Sequence, residues 1–435
     1  MNVAAALMLV LSARTVTLED AERSAEEHLP QVLVAHANTE AGVARTEQAR
    51  SPLLPQVKID GAYDRTTGNH VQKPGRPTTL SNSWDAFNWW SGSATASLLL
   101  WDFGQALNRW HAAEARAVGL GDTEVATRLE ALANARLAFF RARAQKALVV
   151  VAQETLANQQ RHLDQIQGFV EAGTRPQIDL AQGRADVAES RVQLIGAQNG
   201  YVLGRASLNQ AMGITGDTDY DVADQMLGPV PGEDGPVDTL IDEAVHARPD
   251  IASLSAQVRA QELTAKAARG GYFPTLSLVA GAADAGLYLF GKTVPNQPFP
   301  PLSYGMTWNV FGGLRLEWPV FQGFLTRGQV READASLAGL RAQRDGLVQQ
   351  VWVAVQQAAA AVRAAKEALV AAREVLTNAN ERLRLAEGRY EAGAGSVIEL
   401  GDAQLQATRA AAQEVGAEYD LSNARAQLAL ALALR

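Results

Sequence analysis

The run that looks most like a reactive site is DTDYDVADQMLG, residues 217–228. Asp217, Asp219 and Asp221 are spaced like the first ligands of a calcium loop. Such a loop also needs glycine at its sixth position for the sharp turn and a bidentate glutamate at its twelfth. Val222 and Gly228 stand there instead. The run reads as an acidic linker, continued by GPVPGEDGPVD. The six histidines (His28, His36, His70, His111, His162, His246) are dispersed, and none forms H-E-x-x-H. The chain has no cysteine. That removes thiolate nucleophiles, Cys-ligated zinc, iron–sulfur clusters and disulfides together. A Walker A loop, a dinucleotide fingerprint and a G-x-S-x-G elbow are also missing. The residue types therefore predict no metal, no cofactor and no enzyme. The 435 residues carry a net charge of −8, with Lys and Arg scattered. That balance excludes nucleic acid as a partner.

What remains is one phrase written twice. VEAGTRPQIDL, 170–180, returns as YEAGAGSVIEL, 390–400. Glu171, Ala172, Gly173, Ile178 and Leu180 fall on Glu391, Ala392, Gly393, Ile398 and Leu400. Upstream, Pro30, Arg50 and Pro55 fall on Pro249, Arg269 and Pro274. A near-constant offset of about 220 residues over these landmarks marks a duplication of whole folding units rather than a solenoid.

The same elements must hold the phrase in each half. An Ala-rich amphipathic helix comes first, about 17–47 and about 237–267. Two alternating segments follow around a polar loop, predicted as strands at about 55–66 and 93–102, then about 274–288 and 308–320. A long helix then runs about 104–169 and about 322–389. The first copy is about 66 residues, or roughly 99 Å at 1.5 Å per residue. The Gly phrase turns the chain back into a last helix. The two shorter helices of each half sum to the length of the long one, so they predict a pair of antiparallel rods. The reading divides the chain into an N-terminal segment 1–15, a first repeat 16–213, a linker 214–236 and a second repeat 237–435. The opening MNVAAALMLVLSA has a short apolar core and reads as a secretory signal. No segment approaches the roughly 18 apolar residues of a membrane-spanning helix.

The strands alternate. Val57, Ile59, Gly61 and Tyr63 share one face and Lys58, Asp60 and Ala62 the other. Ala94, Ala96, Leu98 and Leu100 oppose Ser93, Thr95, Ser97 and Leu99, and Val310, Gly312, Leu314, Leu316 and Trp318 oppose Asn309, Phe311, Gly313, Arg315 and Glu317. TLSLVAGA, 275–282, alternates less cleanly. One apolar and one polar face suits a half-buried sheet in a soluble protein, and equally a membrane β-barrel. Aromatics at the strand ends favour the barrel. Trp84, Phe87, Trp89 and Trp90 precede the second strand, Trp101 closes it, Trp308 opens the fourth and Trp318 closes it. Such residues suit the two membrane–water interfaces. Four strands cannot close a barrel, and an open edge in lipid leaves backbone groups unsatisfied. The membrane reading therefore requires an oligomer, of two or three copies on physics alone. The rival readings are a soluble coiled-coil scaffold with a small sheet and a surface adhesin.

Taken together, these elements resemble the TolC family of outer-membrane efflux proteins, from about residue 16 to the end. The specific marks are Leu54-Pro55 and Phe273-Pro274 at the strand entries, WDFGQ and FQGF where strand passes to long helix, and the paired Gly phrases. The resemblance implies a mainly α fold with a small β part. Three chains would each give four strands to a shared transmembrane barrel, with a long α-helical barrel reaching into the periplasm. The implied partners are two further copies of the chain, a periplasmic adaptor (membrane fusion) protein, an inner-membrane transporter and outer-membrane lipid. The Gly phrases resemble the helix–turn–helix tips at the periplasmic mouth. Gly173, Thr174 and Arg175 on one tip, and Gly393, Ala394 and Gly395 on the other, are the implied adaptor contacts. The implied gate is Glu399 and Asp402, two acids three apart on the inner tip helix, with Asp179 on the neighbouring tip and Tyr390 linking the tips. Acids at these places are also what a helix N-terminus favours. The chain departs from the family at Gly395, where well-known members carry the arginine of the closing link. Arg175 is the candidate substitute.

Overall fold

A computed structural model describes residues 14–67, 86–216, 219–287 and 307–434. The apolar opening segment, Asp217, Trp84 and nearly all of the two polar interstrand loops lie outside the described residues. In chain order the elements are β1 (Arg14–Val16), α1 (Leu18–His28), α2 (Pro30–Arg50), β2 (Gln56–Thr67), β3 (Ala86–Trp101), α3 (Gln105–Glu171), α4 (Gln177–Ala211), β4 (Tyr220–Val222), α5 (Val237–Ala247), α6 (Pro249–Gly270), β5 (Thr275–Leu287), β6 (Thr307–Glu317), α7 (Leu325–Glu391) and α8 (Val397–Ala431). The duplication is visible in the lengths: α3 and α7 each have 67 residues, and α4 and α8 each have 35.

Each predicted opening helix is two helices. Leu29 and Arg248 are extended, with ψ of 122° at both. Each precedes a proline, whose ring disfavours helical backbone in the residue before it. β3 starts earlier than its alternation predicted, so Phe87, Trp89 and Trp90 stand inside the strand rather than before it. Trp89 and Trp90 pair with Asp64 and Tyr63, and Trp308 in β6 pairs with Asp284. The start of α3 is set by Asp102, whose carboxylate accepts from the Gly104 and Ala106 amides at 3.0 and 2.6 Å. It satisfies donors that a helix N-terminus otherwise leaves without partners.

The chain forms two compact units. One comprises residues 40–119 and 255–342 and contains an antiparallel sheet of order β2-β3-β5-β6. Its register sorts the side chains by polarity. Val57 and Ile59 stand opposite Ala96 and Ala94, which stand opposite Ala280 and Ala282, which stand opposite Gly312 and Val310. Leu98, Leu278 and Leu314 line up in the same way. The other face carries Lys58 against Thr95, Asp60 against Ser93 and Ser277 against Arg315. Among the described residues, nothing covers the apolar face. Ile59 is 82% exposed and Leu314 67%. Among the described residues, the outer edges of β2 and β6 have no strand partner. At one end of the sheet Trp101 and Trp318 are exposed, Trp101 meets Phe103 edge-on, Phe103 stacks on Phe273, and Trp318 Nε1 donates to the Tyr272 carbonyl at 3.2 Å.

The other unit, residues 1–39, 120–254 and 343–435, is helical. Its two larger cores are built from Val351, Val355, Val362, Leu421 and Leu428, and from Phe139, Phe140, Leu208 and Val222, with alanines between. Alanine on the packing faces lets the helix backbones approach closely. Here the acidic linker proves to be structured. β4 pairs in parallel with β1, a two-stranded sheet that alternation could not reveal in three-residue strands. Two acids of the linker are taken up by cations and a phenol of the helices. Asp221 accepts from Lys146 at 2.6 Å and from the Tyr201 hydroxyl at 2.8 Å, and Asp224 pairs with Arg143 at 2.7 Å. Further on, Glu233 is 3% exposed and is held by Arg425 and Lys366.

Candidate functional site

The two Gly phrases form a pair of helical turns in the same unit. Both helices end the same way. Thr174 N donates to the Phe169 carbonyl and Gly173 N to that of Val170, while Ala394 N donates to Arg389 and Gly393 N to Tyr390. These paired bonds close a Schellman motif, which needs a left-handed residue after the helix. Gly173 and Gly393 supply it, with φ of 73° and 75°. The return helix α8 is capped by Ser396, whose hydroxyl accepts from Glu399 N at 3.1 Å.

The tips are joined by Arg175. Its Nη2 donates to the Gly395 carbonyl at 3.1 Å, and its guanidinium lies 4.7 Å from the centre of the Tyr390 ring. Tyr390 is 2% exposed and packs with Ile166, Ala386, Leu400 and Ala403, with Phe169 edge-on at 6.1 Å. Its hydroxyl has no hydrogen-bond partner among the described residues. Tyr390 therefore links the tips through its ring face rather than its hydroxyl. Burial pushes its phenol up, the Arg175 cation opposes the shift, and the Asp179 charge adds to it. Gly395 sits in a tight place. A Cβ there would come within 3.0 Å of Tyr390 N and 3.2 Å of the Arg389 carbonyl carbon. The turn that receives the Arg175 guanidinium is thus tight around the place where well-known members of the family carry an arginine.

The four acid and tyrosine candidates do not form one cluster. Glu399 is paired with Arg389 of its own hairpin at 2.8 Å. Asp402 is exposed, and Asp179 is buried. Asp179 and Asp402 line opposite walls of a groove of about 510 Å³ between α4 and α8, together with Asp186, Glu189 and Gln404. Desolvation raises the Asp186 carboxyl; a hydrogen bond from Gln182 opposes this and the Glu189 charge adds to it. Of the proposed contact residues, Gly173, Thr174, Gly393 and Ala394 are exposed, while Arg175 and Gly395 are half-buried because they hold each other. Ile178 and Ile398, at matching places in the two repeats, are also exposed.

A sheet with one exposed apolar face, joined in sequence to paired helical hairpins, fits the wall of a membrane channel. The profile of the family described as outer membrane efflux protein matches residues 23–214 and 240–434, one match to each repeat. The chain belongs to that family of outer-membrane channels. Two curated relatives from Pseudomonas putida, the probable efflux pump outer membrane protein SepC and the toluene efflux pump outer membrane protein TtgF, are each 26% identical over 258 residues. Those alignments cover 58% of this chain and 51% of each relative, so the match spans about half of their length. The crystal structure of CusC superposes with a TM-score of 0.78 at 18% identity, covering 95% of this chain and 91% of that one. That likeness bears on the fold. No helix among the described residues is long and apolar enough to cross a membrane.

Proposed function

We propose that three copies of this chain close a barrel in the outer membrane and form the exit duct of a tripartite efflux pump. An inner-membrane transporter supplies energy and selectivity, and a periplasmic adaptor docks on the helical tips. The observation that carries the reading is the sheet: among the described residues, one continuous apolar face without cover and two edges without partners. Each unpaired backbone group in hydrocarbon costs several kcal/mol, so the edges of one copy must meet those of another. Closed cyclic symmetry does this most simply, and the family resemblance supports three copies. The exposed Trp101 and Trp318 then stand at a membrane–water interface. The full chain, expressed in a Gram-negative host, is expected in the outer-membrane fraction as a heat-resistant trimer. A soluble monomer would overturn the duct in favour of the scaffold.

In the same reading the tips are the periplasmic mouth, closed by Arg175, and Glu399 and Asp402 are its acidic lining. Because Glu399 is already paired with Arg389, Asp402 carries most of the free charge. Rings of carboxylate favour cations. Joint replacement Glu399→Ala and Asp402→Ala is expected to lower the cation-to-anion permeability ratio in planar bilayers, with Asp402→Ala alone giving most of the loss. Unchanged selectivity in the double variant would remove both residues from the lining.

A further inference from the structure

The end of the sheet where the helices join it carries more exposed aromatic surface than the duct reading uses. The strand register brings the starts of β2 and β5 and the ends of β3 and β6 together there. A bulge between Leu99 and Trp101 changes the face of β3, so that Trp101 joins Leu276 and Leu316 on the apolar side. Bulges re-aim side chains in this way. Beyond the strands, the chain enters each long helix through a phenylalanine in left-handed backbone. Phe103 has a φ of 55° and Phe324 one of 68°, each beside a glycine that is also left-handed. Such backbone is strained for a bulky residue. The strain brings no burial: Phe103 is 43% exposed and Phe324 69%. Phe321 is exposed too and meets Phe324 edge-on. The apolar surface of the sheet therefore continues past the strands to the first turns of α3 and α7. Cations follow at once. Arg109 and Arg327 are exposed and have no ion-pair partner among the described residues. In contrast, Arg269 pairs with Asp334 and Arg341 with Glu262. No acid precedes Glu114 in α3 or Glu332 in α7, and Asp102 is spent on the α3 cap. Acids are what this end of a helix favours, and arginines stand there instead.

We propose that Phe103, Phe321 and Phe324 with Arg109 and Arg327 form a collar that binds phosphate headgroups of the periplasmic leaflet of the outer membrane. The phenylalanines lie at the acyl boundary and the guanidinium groups on the phosphates. The proposal rests on the duct reading and adds a lipid site to it. Arginine presents a planar fork of N–H donors that fits phosphate. The spacing agrees. Arg327 and Arg109 follow the left-handed phenylalanines by about 4.5 and about 9 Å at 1.5 Å per residue. The headgroup layer extends roughly 5–7 Å beyond the hydrocarbon core. A neighbouring copy is the other candidate to cover this surface. It would add its strands at the edges β2 and β6, whereas Phe103 and Arg109 follow β3, an inner strand.

The test is lipid retention by the purified full-length trimer in neutral detergent, read by native mass spectrometry. The probes are phosphatidylglycerol, diacylglycerol of the same chains, and inorganic phosphate. Phosphatidylglycerol is expected to stay bound in excess over diacylglycerol. Arg109→Gln and Arg327→Gln should each weaken it about fivefold, and the joint variant should retain both lipids alike, as an assembled trimer. Equal retention of phosphatidylglycerol by the natural chain and the joint variant would overturn the collar and leave the duct standing. So would inorganic phosphate binding as tightly as the lipid, which makes the arginines a free-anion site. Loss of the heat-resistant trimer in the joint variant would assign the arginines to a neighbouring copy and also overturn the collar. A natural chain that purifies as a soluble monomer would overturn the duct instead. Flotation then decides the collar: the monomer must rise with phosphatidylglycerol vesicles and not with phosphatidylcholine vesicles, and the joint variant with neither.

Discussion

Arg175→Ala is expected to raise the conducting fraction of the channel more than any other single change at the tips. A hydrogen bond from a charged donor contributes about 1.5–3 kcal/mol, and a partly exposed cation–π contact about 0.5–1 kcal/mol. Discounted for its half-buried setting, the Arg175 link stabilises the joined tips by about 2 kcal/mol, roughly a 30-fold change in the closed-to-open ratio per chain. Arg175→Lys keeps the charge but loses the planar group that lies over Tyr390, and should give an intermediate increase. Single-channel recording distinguishes these variants. If Arg175→Ala conducts like the natural chain, Arg175 does not hold the mouth.

That latch shows how much of the site could be seen in advance. Arg175 and Gly395 are the same position in the two repeats, so the arginine stands in one copy of the phrase and is missing from the other. The sequence therefore announces the exchange. It does not announce that the guanidinium returns to the carbonyl of its own counterpart, because that depends on how the two turns are brought together in the fold. The duplication, the four strands and the long helices were legible because long, regular patterns average out local exceptions. The two-stranded sheet of β1 and β4 was not, since three residues cannot display a period. The prolines at 30 and 249 announced their breaks, yet continuous helical pattern on both sides outweighed them in the reading.

The acidic linker leads to the second large effect. Glu233 accepts from Arg425 Nε and Nη2 at 3.1 and 3.0 Å, pairs with Lys366 at 2.6 Å and caps the Val230 amide at 2.8 Å. Asp221 and Asp224, earlier in the same linker, are held by Lys146 and Arg143 of α3. One linker is thus pinned to helices of both repeats. Burial alone would raise the Glu233 carboxyl, but the bonds from Arg425 and Lys366 overcome that and hold it below the ordinary glutamate value. A carboxyl lowered on folding adds stability above its unfolded pKa of about 4.3. That stability is lost as pH falls through the lower, folded value. Glu233→Ala leaves the largely buried Arg425 cation without its carboxylate, and removing one partner of a buried pair costs about 3–5 kcal/mol. Thermal unfolding at neutral pH is expected to show that full loss. Near pH 3 the gap should narrow, because the natural chain is then losing the same charge. A variant as stable as the natural chain at neutral pH would mean that the linker is a passive tether and that the two repeats hold together by helix packing alone.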